Sequence, residues 1–178
     1  MMRIAVRTFV VLFGCLVLAG VLLTPSASAA AAAAATVCHT PFGSLAKNDP
    51  RMGTGEIDGL RVGRHDCFDR LVVDIDGPAA GYNVRYVSQI LSEGQGAVVP
   101  TPPGTAKLNV VIRHPSFSRL TMPNVAGYTT FRKVVDAGSF EGQTTIGLAV
   151  RARLPFRVFV IQGGHGKIVI DVAHRWTA

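Results

Sequence analysis

Residues 68–75 have the sequence Phe68-Asp69-Arg70-Leu71-Val72-Val73-Asp74-Ile75. Leu71, Val73 and Ile75 occupy alternate positions, and the charged Arg70 and Asp74 occupy the other set of alternate positions. Alternation with a period of two places the apolar side chains on one face of a β-strand and the charged ones on the other. An Asp-Gly-Pro turn follows at 76–78 and ends the strand. The sequence therefore predicts a strand with one buried face.

Similar short β-rich runs recur along the chain between Gly and Pro turns, and no long helical period appears after residue 35. One short helical turn is predicted near residues 87–91. The glycines at 163–166 predict a hairpin loop between the last two strands. About eight antiparallel strands in one domain, arranged as a sandwich or a barrel, are the expected all-β architecture. The remaining predicted strands are residues 59–63, 82–87, 107–114, 131–136, 144–151, 156–162 and 167–174.

The first 29 residues have the order of a secretory signal peptide. Arg3 and Arg7 precede sixteen uncharged residues, 8–23, and small residues follow Pro25. Cleavage is expected near Ala29, before Ala30. Two alternatives are an uncleaved anchor, for which the apolar run is short of the usual span of about 20 residues, and lipidation at Cys15. The predicted organisation is a signal peptide at 1–29, an extended N-terminal arm at 30–56 and a β-domain at 57–178.

The chain is basic, with 18 Lys and Arg against 11 Asp and Glu and a formal net charge of +7. Loss of Arg3 and Arg7 leaves 16 basic residues against 11 acidic ones, a net charge of +5. A basic exported protein is suited to anionic wall polymers or lipid head groups. Solubility alone is the alternative explanation. No nucleic-acid partner is expected, because no RNA-binding motif is present. Membrane contact is expected only if the signal is uncleaved.

Cys38 and Cys67 remain after Cys15 leaves with the signal, and two cysteines in an oxidising compartment usually pair. The predicted disulfide closes a loop of about 30 residues and contributes roughly 3–4 kcal/mol by loop entropy. A metal site with His39 and His65 is the alternative, but the spacing fits no standard zinc pattern. No metal ligand is therefore predicted.

We find no motif of nucleophilic, metal-dependent or phosphate-binding catalysis. On a strand, the side chains of an adjacent His-Asp pair point to opposite faces. Two Asp residues two positions apart have their side chains on the same face, which is usually a solvated one. We predict no catalytic residue, no cofactor and no enzymatic activity. The ionisable residues considered and interpreted as structural or exposed are His65, Asp66, Asp74, Asp76, His114 and His174.

Arginines are the more suggestive polar residues, because neighbouring strands could combine them into a basic face that holds carboxylates or phosphates. The alternative is a solvated strand face with occasional ion pairs, such as Arg70 with Asp171. Two long loops, at residues 92–106 and 115–130, are either binding loops or passive covers. The candidate ligand-binding residues are Arg64, Arg70, Arg85, Arg151, Arg153 and Arg157.

A series of short motifs in order along the chain resembles the AMIN-like domain of secreted bacterial proteins. The motifs are Val62-Gly63-Arg64-His65-Asp66-Cys67-Phe68-Asp69-Arg70-Leu71-Val72-Val73-Asp74, Gly81-Tyr82-x-Val84-Arg85-Tyr86-Val87, Phe140-Glu141-Gly142-x-Thr144-Thr145-x-Gly147-Leu148, Arg153-x-Pro155-Phe156-Arg157-Val158-Phe159 and Ile168-Val169-Ile170-Asp171-Val172-Ala173-His174. The resemblance implies an antiparallel β-sandwich related to the AMIN domain, a non-catalytic targeting module of some cell-wall amidases and secretins. Such modules are thought to bind peptidoglycan or other envelope components. No ligand residue is carried over from the family.

The sequence thus predicts a secreted or envelope-associated, non-catalytic β-sandwich that contacts peptidoglycan, another anionic wall polymer or an envelope protein. One alternative is a partner or inhibitor of another secreted protein that acts through the two long loops. The other is a small hydrolase.

Overall fold

The strand predicted from residues 68–75 runs from Phe68 to Asp76 in the computed structural model, which describes residues 38–177. The predicted signal peptide, Cys15 and the first part of the arm lie outside the described residues. These described residues belong to one compact unit.

The described residues form eleven strands and no helix. All eight predicted strands are present, and three short strands join them. The predicted helical turn near residues 87–91 is wrong, because a bend at 88–89 leads directly into a strand. The strands are β1 Lys47–Asp49, β2 Glu56–Arg64, β3 Phe68–Asp76, β4 Tyr82–Val87, β5 Ile90–Leu91, β6 Val98–Val99, β7 Ala106–Ile112, β8 Phe131–Phe140, β9 Gln143–Val150, β10 Phe156–Ile161 and β11 His165–Ala173.

Two antiparallel sheets pack face to face. A five-stranded sheet has the order β1-β4-β7-β9-β8, and a four-stranded sheet has the order β10-β11-β3-β2. Leu71 and Ile170 of the four-stranded sheet share one buried cluster with Leu108 and Leu148 of the five-stranded sheet. Alternation along each strand sends one set of apolar side chains into this shared core. The predicted all-β fold is confirmed, and it is a sandwich.

The N-terminal segment is tied to the sandwich at several points. Cys38 and Cys67 form the predicted disulfide, with their Cα atoms 5.3 Å apart. The Phe156 amide donates to the Gly43 carbonyl at 2.8 Å, which covers the free edge of β10. Strand β1 then pairs with β4 at the edge of the five-stranded sheet. The predicted extended arm therefore carries a strand.

Both long loops pack against the body of the protein. The first contains β6, which pairs with β5 just before the loop to form the β5–β6 hairpin, and Ile90 of β5 forms a small buried cluster with Val135 and Ala137 of β8. The hairpin lies close to Gly147 of β9, where a Cβ atom would come within 2.9 Å of the Ile90 side chain. The second loop buries Leu120 against the main core.

His114 is a fully buried polar residue that joins three segments. Its Nδ1 lies 2.7 Å from the Gly55 carbonyl, and its Nε2 accepts the Ala80 amide at 3.0 Å. Since a carbonyl only accepts and an amide only donates, these partners select the neutral tautomer with the proton on Nδ1. His114 is structural, as the sequence predicted.

Candidate ligand-binding face

The outer face of the four-stranded sheet carries the main polar cluster of the candidate site. Strand register places Arg157 of β10 opposite Asp171 of β11, and Asp171 opposite Arg70 of β3. All three side chains point away from the core, because the alternate positions on the same strands fill it. One carboxylate therefore lies between two arginines across three neighbouring strands.

The Asp171 carboxylate is fully buried and accepts hydrogen bonds from both guanidinium groups. Arg70 donates from Nε at 2.6 Å and from Nη2 at 2.9 Å, and Arg157 donates from Nε at 2.8 Å. The hydrogen bond with Asp171 raises the pKa of Arg70 above its ordinary value. The Arg70–Asp171 pair, which the alternative of a solvated strand face gave as an example, is present, and Arg157 adds a second cation to it.

Aromatic rings hold both guanidinium groups in place. Arg157 lies 4.6 Å from the ring centroid of Phe42 and 5.1 Å from that of Phe159, and Arg70 lies 5.2 Å from that of Phe68. Cation–π contacts help to position the guanidinium groups, and the N–H groups not bonded to Asp171 remain available to a ligand. The side chains stay 43% and 26% exposed for Arg157 and Arg70. Two cations share one anion, so this cluster presents one uncompensated positive charge.

A shallow groove of about 310 Å³ continues along the same face. Val72, Val169 and Ile161 supply apolar surface, and Arg61 and Lys167 join Arg70 as its cationic groups. Arg61 donates to both oxygens of Asp74 at 2.6 Å, and this hydrogen bond raises the pKa of Arg61. The Lys167 ammonium donates to the His165 carbonyl at 2.9 Å. The groove therefore combines an apolar surface with cations.

The other four predicted arginines do not lie in this cluster. Arg64 packs near the Tyr128 ring, at 5.8 Å, and Arg85 belongs to the five-stranded sheet. Arg151 donates to the His174 carbonyl, and Arg153 donates to the Ser44 carbonyl at 3.2 Å. The spacing of Arg151, Arg153 and Arg157 in the sequence suggested one basic patch. A turn at residues 151–153 separates them, so only Arg157 lies on the sheet face.

Sequence reasoning did not single out several side chains of this face. Lys167 has the same strand parity as Asp171, so the register of β11 could have identified it. Phe68 and Phe159 could have been found in the same way, since they alternate with core residues on β3 and β10. Phe42 carries no such signal, because its place depends on the path of the arm.

The ionisable side chains near the start of β3 make structural contacts. Asp69 is fully buried, and its Oδ2 accepts the backbone amides of Thr130 at 2.6 Å and Phe131 at 3.0 Å. Its Oδ1 lies 3.1 Å from His174 Nε2. His65 instead stacks on the Phe68 ring, with centroids 4.5 Å apart. His65 and Asp69 are therefore engaged in separate contacts.

The two remaining carboxylates of β3 share the outer face, as their spacing predicted. Asp74 binds Arg61, and Asp76 lies 3.7 Å from His165 in an exposed pair. Residues 38–177 contain no group of three or more His, Cys, Asp and Glu side chains arranged to hold a metal ion. In the same part of the chain, no helix has the length and hydropathy needed to cross a membrane.

These features define an antiparallel β-sandwich with an arginine- and phenylalanine-lined outer sheet face. The chain belongs to the AMIN-like family, since the model of the AMIN-like domain matches residues 55–174. AMIN-like domains are associated with the cell wall and the cell envelope. No curated protein and no solved structure matches the chain.

Proposed function

We propose that the protein is a secreted, non-catalytic module that holds an anionic wall polymer, such as peptidoglycan, on the outer face of its four-stranded sheet. The observation that carries this proposal is the Arg70–Asp171–Arg157 cluster, in which two stacked guanidinium groups share one buried carboxylate. Guanidinium groups bind carboxylates and phosphates through paired hydrogen bonds. Family membership supports the envelope as the setting.

The groove beside the cluster suits an elongated ligand. A polymer segment that places an anionic group at Arg157 can lay an apolar portion on Val72 and Val169 and reach Lys167.

The non-catalytic part of the proposal is supported by Asp69, because both oxygens of its carboxylate already have partners within the protein. The basic signal-like start supports export with cleavage near Ala29. Mass spectrometry of the exported protein tests that step, and a mass that retains residues 1–29 contradicts it.

Binding to purified sacculi tests the proposal directly. We expect retention at low salt and release as salt rises, because the contacts are charged. The double variant Arg157→Ala/Lys167→Ala removes two cations from the face and leaves Asp171 paired with Arg70. Its affinity should fall at least about tenfold, because each lost charge-assisted hydrogen bond contributes about 1.5–3 kcal/mol.

The matched control is Arg132→Ala/Lys133→Ala, which removes two exposed cations from β8 of the other sheet. Its retention should stay close to that of the wild type. An equal loss in both variants would show that net charge alone drives binding. No retention of the wild type at low salt would refute the proposal.

Exposed aromatic residues favour one second candidate, a protein-binding role at one end of the sandwich. Phe117 in the second long loop is 83% exposed, and Phe140 at the β8–β9 turn is 52% exposed. The Ser116 amide donates to Ser139 Oγ at 3.1 Å and brings the two segments together. If this end docks another secreted protein, Phe117→Ser/Phe140→Ser abolishes co-purification of that protein and leaves retention on sacculi unchanged.

A further inference from the structure

A cleft of about 510 Å³ lies on the outer face of the five-stranded sheet, between β4, β7 and the β5–β6 hairpin. This volume is within the range of about 300–1,000 Å³ that is typical of small-molecule sites. The polar side chains that line it are Arg85, Ser88, Gln89, Ser92, Glu93 and Asn109.

Hydrogen bonds within the protein hold the hairpin side of the cleft in place. Ser92 Oγ accepts the Ala97 amide at 3.0 Å, and the Glu93 amide donates to the Ala137 carbonyl at 2.7 Å. The Glu93 carboxylate also accepts the Thr145 hydroxyl of β9. A wall that is ordered before binding loses little conformational entropy when a ligand arrives.

The sheet side of the cleft is ordered by a chain of amide contacts. Asn83 donates from Nδ2 to Asn48 Oδ1 at 3.1 Å, and Arg85 donates from Nη1 to Asn83 Oδ1 at 3.2 Å. The register of β4 and β7 places Asn109 directly opposite Arg85. A guanidinium group and a carboxamide are therefore neighbours on this side.

Two polar groups in the cleft have unused hydrogen-bonding capacity. The side-chain amides of Gln89 and Asn109 bond to no other group in residues 38–177. The two charged lining residues, Arg85 and Glu93, have opposite signs, so the cleft has no net charge. It therefore differs from the Arg70–Asp171–Arg157 cluster, which favours an anion.

We infer that this cleft binds a neutral polyhydroxylated ligand, that is, a sugar or a short oligosaccharide. A hydroxyl both donates and accepts, which matches a mixture of amides, hydroxyls, one guanidinium and one carboxylate. Val87 and Leu91 provide apolar surface for the C–H groups of a sugar ring. The site does not depend on the proposed binding of an anionic polymer, because it lies on the other sheet.

A peptide fits the cleft less well. Strand β4 already pairs with β1 and β7, and β7 pairs with β4 and β9. Strand β7 therefore has no free edge, and the edge of β4 that β1 leaves unpaired is only three residues long, 85–87. Such a short edge gives little backbone pairing to a peptide. Recognition therefore comes mainly from side chains, which suits the hydroxyls of a sugar.

NMR titration of the isotopically labelled exported protein tests the inference. The neutral probes are tetra-N-acetylchitotetraose and maltotetraose, the anionic probe is trigalacturonate, and the peptide probe is acetylated and amidated tetra-alanine. At millimolar concentration, at least one neutral sugar should give saturable shifts of the amides of Gly94, Gly96 and Asn109, and the anionic and peptide probes should bind more weakly. No saturable shift with either neutral sugar, shifts confined to the four-stranded sheet, or tighter binding of the anionic or peptide probe would overturn it.

Substitutions of cleft residues test where on the protein the sugar binds. Gln89→Ala and Asn109→Ala should each weaken sugar binding about fivefold, as expected for one lost hydrogen bond. The matched control Gln95→Ala lies in the same loop outside the lining residues and should bind as the wild type does. Equal weakening by the control would contradict the site. Sugar binding that survives in Arg157→Ala/Lys167→Ala separates this inference from the proposed wall binding, and its loss there overturns the inference.

Discussion

The outer faces of the two sheets are covered in different ways. On the four-stranded sheet, arginine side chains lie among phenylalanine rings and share the buried Asp171. On the five-stranded sheet, the β5–β6 hairpin covers β9, and the exposed strands carry amides such as Asn83 and Asn109. Both faces look polar in the sequence. The Arg70–Asp171–Arg157 cluster has an uncompensated positive charge and the cleft on the other sheet does not, so the net charge of the chain is a poor guide to where an anion binds.

The difference arises from what lies beside each sheet. The disulfide holds the arm so that Phe42 reaches Arg157, and this arrangement occurs only at the four-stranded sheet. The five-stranded sheet instead receives a segment of its own chain between β4 and β7. The first face is therefore organised by ion pairs between side chains, and the second by the packing of the β5–β6 hairpin against β8 and β9.

The largest expected effect comes from loss of the disulfide. Cys38→Ser/Cys67→Ser should lower the free energy of unfolding by about 3–4 kcal/mol, because the bridge restricts the unfolded chain. Urea denaturation measures this change. The arm should also loosen over Arg157, while the hairpin on the other sheet keeps its amide-exchange protection. Free reaction of both cysteines with a thiol reagent in the native wild type would contradict the bridge.

Removal of the shared carboxylate should have the next largest effect. Asp171→Ala leaves Arg70 and Arg157 without their common partner and should cost about 2–3 kcal/mol. This value is below that for a fully buried pair, because both guanidinium groups keep some contact with water. The control Asp74→Ala breaks the more exposed pair with Arg61 on the same face and should cost less than about 1 kcal/mol. Equal losses in urea denaturation would remove the distinction between the two pairs.

Packing of the hairpin is tested at Gly147. In Gly147→Ala the new methyl group would lie 2.6 Å from the Val135 side chain and 2.9 Å from that of Ile90. We expect a loss of about 1–2 kcal/mol from overpacking and increased amide exchange in β5 and β6. The control Gly59→Ala has open space around the new atom and should be neutral or slightly stabilising. Unchanged exchange in the hairpin would contradict the close packing.

The smallest effect concerns an exposed ion pair at the edge of the five-stranded sheet. Hydrogen bonds from Arg51 lower the pKa of Asp49 from 3.8 to about 2. Because the pKa of Asp49 is lowered in the folded state, the ion pair makes its full contribution to stability above pH 3.8, and that contribution is lost as the pH falls toward 2. NMR titration of the Asp49 carboxyl carbon should show the low midpoint, and Arg51→Ala should return it toward 3.8. A midpoint near 3.8 in the wild type would show that the pair does not form in solution.

The sequence predicted the bounds of the long strands more accurately than it predicted which strands pair with one another. Alternation is a local property, so residues 68–75 and 82–87 were assigned with nearly the bounds that the structure shows. Strands β5 and β6 have two residues each and lie in a Gly- and Pro-containing segment, where no alternation can be recognised. Strand β1 forms because β4 offers an unpaired edge, which the arm sequence does not reveal.

The candidate site was predicted only in part, for a similar reason. The pairing of Arg70 with Asp171 was given as an example of the ion pairs that a solvated strand face would carry. Arg151 and Arg153 were grouped with Arg157 because they are close in sequence, but the turn after β9 sends them elsewhere. The cleft that includes Asn109 combines β4, β7 and the hairpin between them, and no local pattern indicates that the hairpin folds back over the sheet.

The sequence by itself determined the exposed and buried faces of the strands, the all-β class and the pairing of Cys38 with Cys67. These follow from side-chain alternation, turn residues and the number of cysteines left after an export signal. The tertiary structure alone decided which charges meet, because register across β10, β11 and β3 sets the distance between Arg157, Asp171 and Arg70. It also decided that one outer face presents positive charge and the other a neutral polar cleft, since the paths of the arm and of the β5–β6 hairpin depend on long-range packing.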